Sequence, residues 1–395
     1  TSRLQHVARL ADEWVMGARA HMVEYQSRTL AQQIAITRIA APTGCEDERA
    51  RSVLGALQQA GYTDASIDGV GNVRARAGGG DSAPLVCLAH LDTVYDGTCA
   101  LTDAVAVAQN GCVVNGAGIG DNGRGLAAML TLAEVLHTPA VRARLARPVH
   151  FVATVGEEGD GDLRGARAWF DDAAANGVTP WAAVAIDGPG DESIVHHAAG
   201  SHRLRVTLHG PGGHSWTHAE SANPIHALGE FIARAARLGN ARRRDAVVHV
   251  TRMHGGESLT AIPQEAWVDV DLRGTSARHI NDVRRELLRL VAQITPPTLR
   301  AEMVVLGDRP AGVLPAEHAL VQMAVQATEA VGVSPRSAVA STDANIPLSR
   351  GIPAIAIGAG GTGGGAHTRD EWYDDTHGSR GIERLVRLVL SLASD

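Results

Sequence analysis

At 395 residues the chain is longer than one hydrophobic core ordinarily serves, so two domains are expected. Its 45% apolar and 20% charged content suits a globular enzyme, no apolar run reaches membrane-span length, and a net charge of −7 leaves no electrostatic footprint for nucleic acid. There is no lysine; all 36 basic residues are arginine, which excludes a lysine Schiff base, a pyridoxal-phosphate anchor and a P-loop lysine.

In chain order, residues 1–61 read as helical. Leu4, Val7, Leu10 and Val15 show helical spacing, Arg28–Ile39 continues it, Ala41-Pro-Thr-Gly44 breaks it and Asp47–Gln59 resumes it. Thr63–Ala77 reads as strand material. Leu85–Ala89 is a short apolar run suited to a buried strand, and it delivers His90 and Asp92. Asp121 sits in a glycine-framed turn before the helical pattern Leu126–Leu136. Pro148–Val155 is a second buried strand, ending in Gly156-Glu157-Glu158-Gly159. Ala182–Ile186 is a third, ending in Asp187, and Ile352–Ile357 a fourth, followed by the glycine-rich stretch that carries His367. Apolar strands interleaved with helices, each ending in a carboxylate or imidazole, predict an α/β fold with a mainly parallel sheet and one site along its edge.

From about Gly200 to Pro310 the pattern changes. Arg203–His209, Ala246–Met253, Ala266–Leu272 and Arg300–Leu306 read as strands, with helices at Asn223–Leu238 and Ala277–Ile294. The order β-α-β-β-α-β is that of a ferredoxin-like unit. Metal-type residues resume only after it, so residues 200–310 are taken as an inserted domain between catalytic segments 1–199 and 311–395. The cysteines Cys45, Cys87, Cys99 and Cys112 form no CxxC, and reduced thiols in a cytoplasmic protein are expected. The first residues lack the layout of a signal peptide, in keeping with that location.

His90, Asp121, Glu158, Asp187 and His367, with Asp92 and Glu157 behind them, form a candidate metal centre. Carboxylates converging at one edge repel unless a cation neutralises them, and two imidazoles with three carboxylates suit zinc, manganese or cobalt rather than calcium. Adjacent Glu157 and Glu158 are expected to face different ways, one binding metal and the other taking a proton from a metal-activated water. Taken singly, each motif has a plainer reading as a cap, a solvated loop or a satisfied turn. Their common position at strand ends favours the metal reading. Gly118-Ile-Gly120-Asp-Asn-Gly123 also matches a dinucleotide fingerprint, but Asp121 would face the pyrophosphate, and no acidic residue follows at the spacing a ribose contact needs.

The segments AHLDTV, GIGDNGRG, GEEG, IDG, GPGGHSW, STDANIPLSRGIPAI and GGGAHTRDEWYD span most of the chain. Together they resemble the metal-dependent hydrolases that include aminoacylase, acetylornithine deacetylase, succinyl-diaminopimelate desuccinylase, carnosinase and peptidase T. The resemblance implies an α/β catalytic domain holding two metal ions and an inserted lid that mediates homodimerisation. His90, Asp121, Glu158, Asp187 and His367 look like the ligands, with Asp121 bridging. Asp92 looks like the residue orienting His90, Glu157 like the general base, and His214 like a lid histidine reaching the partner's active site. Arg273 resembles the lid arginine that holds a substrate carboxylate, with Arg350 a second candidate. Where the family usually has Asn three residues before the Pro of its NxIP motif, this chain has Thr260, which lacks the carboxamide. Tyr95–Gly111 also reads unlike the family's loop. The expected reaction is hydrolysis of the amide in an N-acyl amino acid or small peptide. The alternatives are removal of an amine from a small carboxylate, aromatic ones included, and an inactive metal-binding relative.

Overall fold

The computed structural model describes residues 22–96, 106–240 and 246–394. The spacing at Leu4–Val15, Cys99 and most of the unusual loop lie outside them. The chain forms two compact units, one of residues up to 197 and from 313, the other Ala198–Gly312.

The first unit opens with α1 (Met22–Thr37) and α2 (Asp47–Gln59). The strand material of Thr63–Ala77 forms a hairpin, β1 (Ser66–Ile67) and β2 (Val73–Ala77). Asp68 turns the chain there, its Oδ1 accepting from the amides of Val70, Gly71 and Asn72. There follow β3 (Leu85–His90), α3 (Gly123–His137), β4 (Val149–Thr154), α4 (Arg164–Ala175), β5 (Ala182–Ile186) and β6 (Ser193–Ala198).

The second unit runs β7 (Gly200–His209), α5 (Pro224–Asn240), β8 (Ala246–Gly255), β9 (Glu265–Gly274), α6 (Ala277–Ile294) and β10 (Arg300–Arg309). Its four main strands are antiparallel in the order β8-β9-β7-β10. Ile280, Val283, Leu287, Leu290 and Ile294 form the buried stripe of α6, and they pack with Val206, Val268 and Phe231 into a core of its own.

The chain re-enters the first unit through β11 (Gly312–Val313), α7 (Ala319–Ala330), β12 (Arg336–Ala340), β13 (Ala354–Ile357) and α8 (Gly378–Ala393). The main sheet has the order β11-β6-β13-β5-β3-β4-β2-β1, with β12 on β6. Its centre, β13-β5-β3-β4, is parallel and its flanks are antiparallel. Alternation along β3 explains why the run reads as continuously apolar. Leu85, Cys87 and Ala89 pack toward α3 and α8, while Val86 and Leu88 pack toward Trp169 and Phe170 of α4. β13 starts two residues later than predicted because Pro353 has no amide to give the ladder.

The register aligns the carboxyl ends of the parallel strands: His90 lies opposite Thr154, and Ile357 opposite Ile186. The segments bearing Glu157, Asp187 and His367 therefore leave the same edge as His90.

Candidate metal centre

His90 ends β3 and is buried. Its Nε2 lies 3.0 Å from Asp121 Oδ1 and 3.6 Å from Asp187 Oδ1. His367 Nε2 lies 3.2 Å from Asp121 Oδ2 and 3.1 Å from Glu158 Oε1. Asp121 thus turns one oxygen to each imidazole. Two donor sets follow, His90/Asp121/Asp187 and Asp121/Glu158/His367, with the donor atoms of each within 4.8 Å of one another. A third set, His90/Glu157/Glu158, satisfies the same limit. It brings one oxygen of each of the two adjacent glutamates within that limit of His90.

Three carboxylates packed around two imidazoles create surplus negative charge. Burial works against a charged His90, but Asp121, Asp187 and Asp92 outweigh it and hold the imidazole well above its ordinary pKa. Hydrogen bonds to Asp121 and Glu158 raise His367 to about 10. Asp121, which burial would raise, is driven far below the carboxylate range by His367 and His90. The edge therefore demands compensating positive charge, which protons or metal ions can supply. The fit to a cation is also geometric. Asp121 Oδ1 is buried and has no hydrogen-bond partner among the described residues, although it lies 3.0 Å from His90 Nε2. Donors 2.0–2.1 Å from one tetrahedral zinc would stand about 3.3 Å apart.

Behind these groups stands a set of supports that sequence reasoning assigned differently or missed. Asp92 lies beyond the end of β3, and its carboxylate accepts the amides of Glu157 and Glu158, each at 2.9 Å, and the Thr43 hydroxyl. His90 Nδ1 is 3.0 Å from the Asp92 backbone carbonyl and 3.6 Å from its carboxylate. The carbonyl is thus the nearer partner of His90, and the carboxylate chiefly holds the glutamate turn. Buried Glu46 accepts the Gly156 amide, and fully buried Arg49 donates to the carbonyls of Ile39 and Leu91. Asn122 caps α3 by accepting from Gly125, accepts also from Gly188, and donates to Ile186, which ties the Asp121 turn to the Asp187 strand. A Cβ at Gly125 would stand 2.0 Å from Asn122 Oδ1, so only glycine permits that approach. Burial lifts Asp343 to about 6; it accepts from Thr154, and its Oδ1 has no hydrogen-bond partner among the described residues.

The glycine turn that resembled a dinucleotide fingerprint is already filled. Gly118, Gly120 and Asp121 direct their amides at the carboxylate of buried Glu371, leaving none of these three for a pyrophosphate. Glu371 falls within a quoted motif, but nothing in the sequence distinguished it from neighbouring acids.

Three further candidates belong to the second unit. His214 is exposed, on a short strand paired with Ala261–Ile262. Its Nδ1 accepts the amides of Trp216 and Thr217, which leaves Nε2 as the N–H donor. The Thr260 carbonyl accepts the Ser215 amide. Arg273 is exposed on β9 and paired with Asp271 at 2.8 Å. In the first unit, Arg350 is engaged with Asp171 at 2.8 Å.

A family model described as Peptidase family M20/M25/M40 matches residues 86–391. Among curated proteins none matches the chain. Solved structures of similar fold include aminopeptidase PepT from Bacillus cereus ATCC 10987, at 18% identity, covering 93% of this chain and 99% of that one, with a TM-score of 0.74. A dinuclear metal binding peptidase of family M20 from Bacillus subtilis is 17% identical, with 94% and 99% covered and a TM-score of 0.67. A hydantoinase/carbamoylase family amidase from Burkholderia vietnamiensis is 18% identical, with 94% and 98% covered and a TM-score of 0.71. At these identities the likeness is one of fold.

Proposed function

We infer that this chain, which belongs to peptidase family M20/M25/M40, hydrolyses the amide bond of an N-acyl amino acid or small peptide. Family membership makes it a metallohydrolase acting on carbon–nitrogen bonds. The observation that supports a two-ion centre for this chemistry is Asp121, whose two oxygens face separate imidazole-carboxylate sets. His90, Asp121 and Asp187 would hold one zinc, manganese or cobalt ion, and Asp121, Glu158 and His367 a second. Ions bound there supply Lewis acidity and make a water acidic enough to ionise near neutral pH.

The chain's own groups do the rest. Glu157, its backbone fixed by Asp92, takes the proton of the attacking water and delivers it to the leaving amine. His214, held as the Nε2–H form, donates to the developing oxyanion from the second unit of a partner chain in a homodimer. Arg273 receives the substrate carboxylate in exchange for Asp271. Thr260, without a carboxamide, supports a second reading in which the substrate is an amine-bearing small carboxylate, aromatic ones included, that loses ammonia to the same water.

The test is Glu157→Gln, assayed on N-acetyl amino acids, dipeptides and aminobenzoate-type amines. Metal content should stay at the wild-type level while turnover falls by about 10²-fold or more. Loss of metal in this variant would make Glu157 a ligand and end its assignment as base. The best wild-type substrate decides between the two readings.

A further inference from the structure

We propose that Glu371 is a positioning residue that fixes the shared ligand Asp121 and ties it to the His367 segment, an inference that rests on the metal centre described above. Glu371 is 3% exposed. Its Oε2 accepts the Gly118 amide at 2.7 Å, and its Oε1 accepts those of Gly120 and Asp121, both at 2.8 Å. The Gly118–Asp121 turn is therefore wrapped around a carboxylate, and the backbone nitrogen of Asp121 is one of the three points of attachment.

Glu371 follows His367 by four residues and lies 250 residues beyond Asp121. Its own carbonyl accepts the Gly116 amide at 2.9 Å, and Trp372–Asp374 pairs antiparallel with Val113–Asn115. The two segments that meet across the cation site at His367 Nε2 and Asp121 Oδ2 are thus zipped together beneath it by one side chain and a short ladder.

The chemistry requires a carboxylate. Three N–H groups converge on it, so a carboxamide would have to turn its NH2 against at least one of them. A buried anion one peptide from Asp121 also adds to the negative charge that draws a divalent cation. The packing leaves little slack, since a Cβ on Gly120 would stand 3.0 Å from Glu371 Oε1 and 3.3 Å from Pro189 Cδ.

The experiment compares wild type, Glu371→Gln and Gly120→Ala as full chains stripped of metal. Glu371→Gln removes the charge; Gly120→Ala keeps every charge and displaces the carboxylate. Far-ultraviolet circular dichroism establishes folding, and zinc affinity is measured in competition with a chromophoric chelator. The visible spectrum of the cobalt-loaded proteins reports ligand geometry. Both variants should bind zinc about 10- to 100-fold more weakly, the usual effect of losing an outer partner of a ligand, with shifted cobalt bands. A purely structural plug would lower thermal stability and leave affinity and spectrum of the folded protein unchanged, and that result overturns the proposal. Should Glu371→Gln not fold, Gly120→Ala decides by the same criteria. Wild-type protein that takes up neither zinc nor cobalt would overturn the metal-centre reading and this inference with it. Wild-type binding with unchanged variants would overturn this inference alone.

Discussion

Replacing Asp92 by Asn tests what the carboxylate behind His90 does. It is fully buried, and each oxygen accepts one backbone amide, from Glu157 and from Glu158. In the variant one oxygen becomes an NH2 group. Whichever way the amide is set, one of the two N–H groups faces a donor and the other loses its charged partner. A hydrogen bond to a charged group contributes about 1.5–3 kcal/mol and an orphaned buried donor costs about 1–3 kcal/mol, so the local cost is about 2–4 kcal/mol. At 1.4 kcal/mol per tenfold, the Glu157 and Glu158 amides should exchange with deuterium about 30- to 1,000-fold faster than in wild type. The contact from His90 Nδ1 to the Asp92 backbone carbonyl is untouched, so Nδ1 should stay protonated in nitrogen-15 spectra. Burial would raise the Asp92 pKa, but His90 and the two amides outweigh it and set it below the ordinary 3.8. Its contribution is therefore fully present above that value and fades as pH falls through the lower folded value. The difference between wild type and variant should be flat from about pH 8 to pH 5. Glutamate amides exchanging at the wild-type rate in a variant with reoriented His90 would refute this division of labour.

Arg273→Ala should lower kcat/KM for a carboxylate-bearing substrate by about 2–4 kcal/mol and do much less to its neutral ester or amide; equal losses would leave Arg273 as the surface partner of Asp271. Mixing inactive His214→Ala chains with inactive Glu157→Gln chains should restore one working site per hybrid dimer. No recovery despite demonstrated subunit exchange would count against a shared site. His150 on β4 offers a test by acid: burial, with Arg76 and Arg74 adding, lowers it from 6.5 to about 4. The unfolded chain then takes up a proton before the folded one, so stability should fall between about pH 6.5 and pH 4, by at most about 3 kcal/mol. His150→Gln should lose less over that window in denaturant titrations, and an unchanged slope would show that His150 is not responsible.

What the sequence determined is what depends on near neighbours. The buried run at Leu85–Ala89, the strand Ala182–Ile186 and the stripe of α6 could each be read because strand alternation and helical periodicity are local properties. The candidate donors were legible for a related reason: strands that end alike deliver their last residues to one edge, so His90, Asp121, Glu158, Asp187 and His367, which the structure brings together, could be named as candidates without knowing how they meet. Only the tertiary structure decided which group serves which. Asp92 stands two residues from His90, yet its carboxylate serves amides 65 and 66 residues away. Glu371 looks like any acid in an acidic stretch until the turn at Gly118 closes over it. Asn122, Glu46 and Arg49 were likewise silent, because their partners are chiefly backbone groups, and every residue but proline offers the same N–H and C=O. A backbone amide becomes a specific partner only when the fold aims it, and that information resides in the register of distant strands rather than in the identity of any residue.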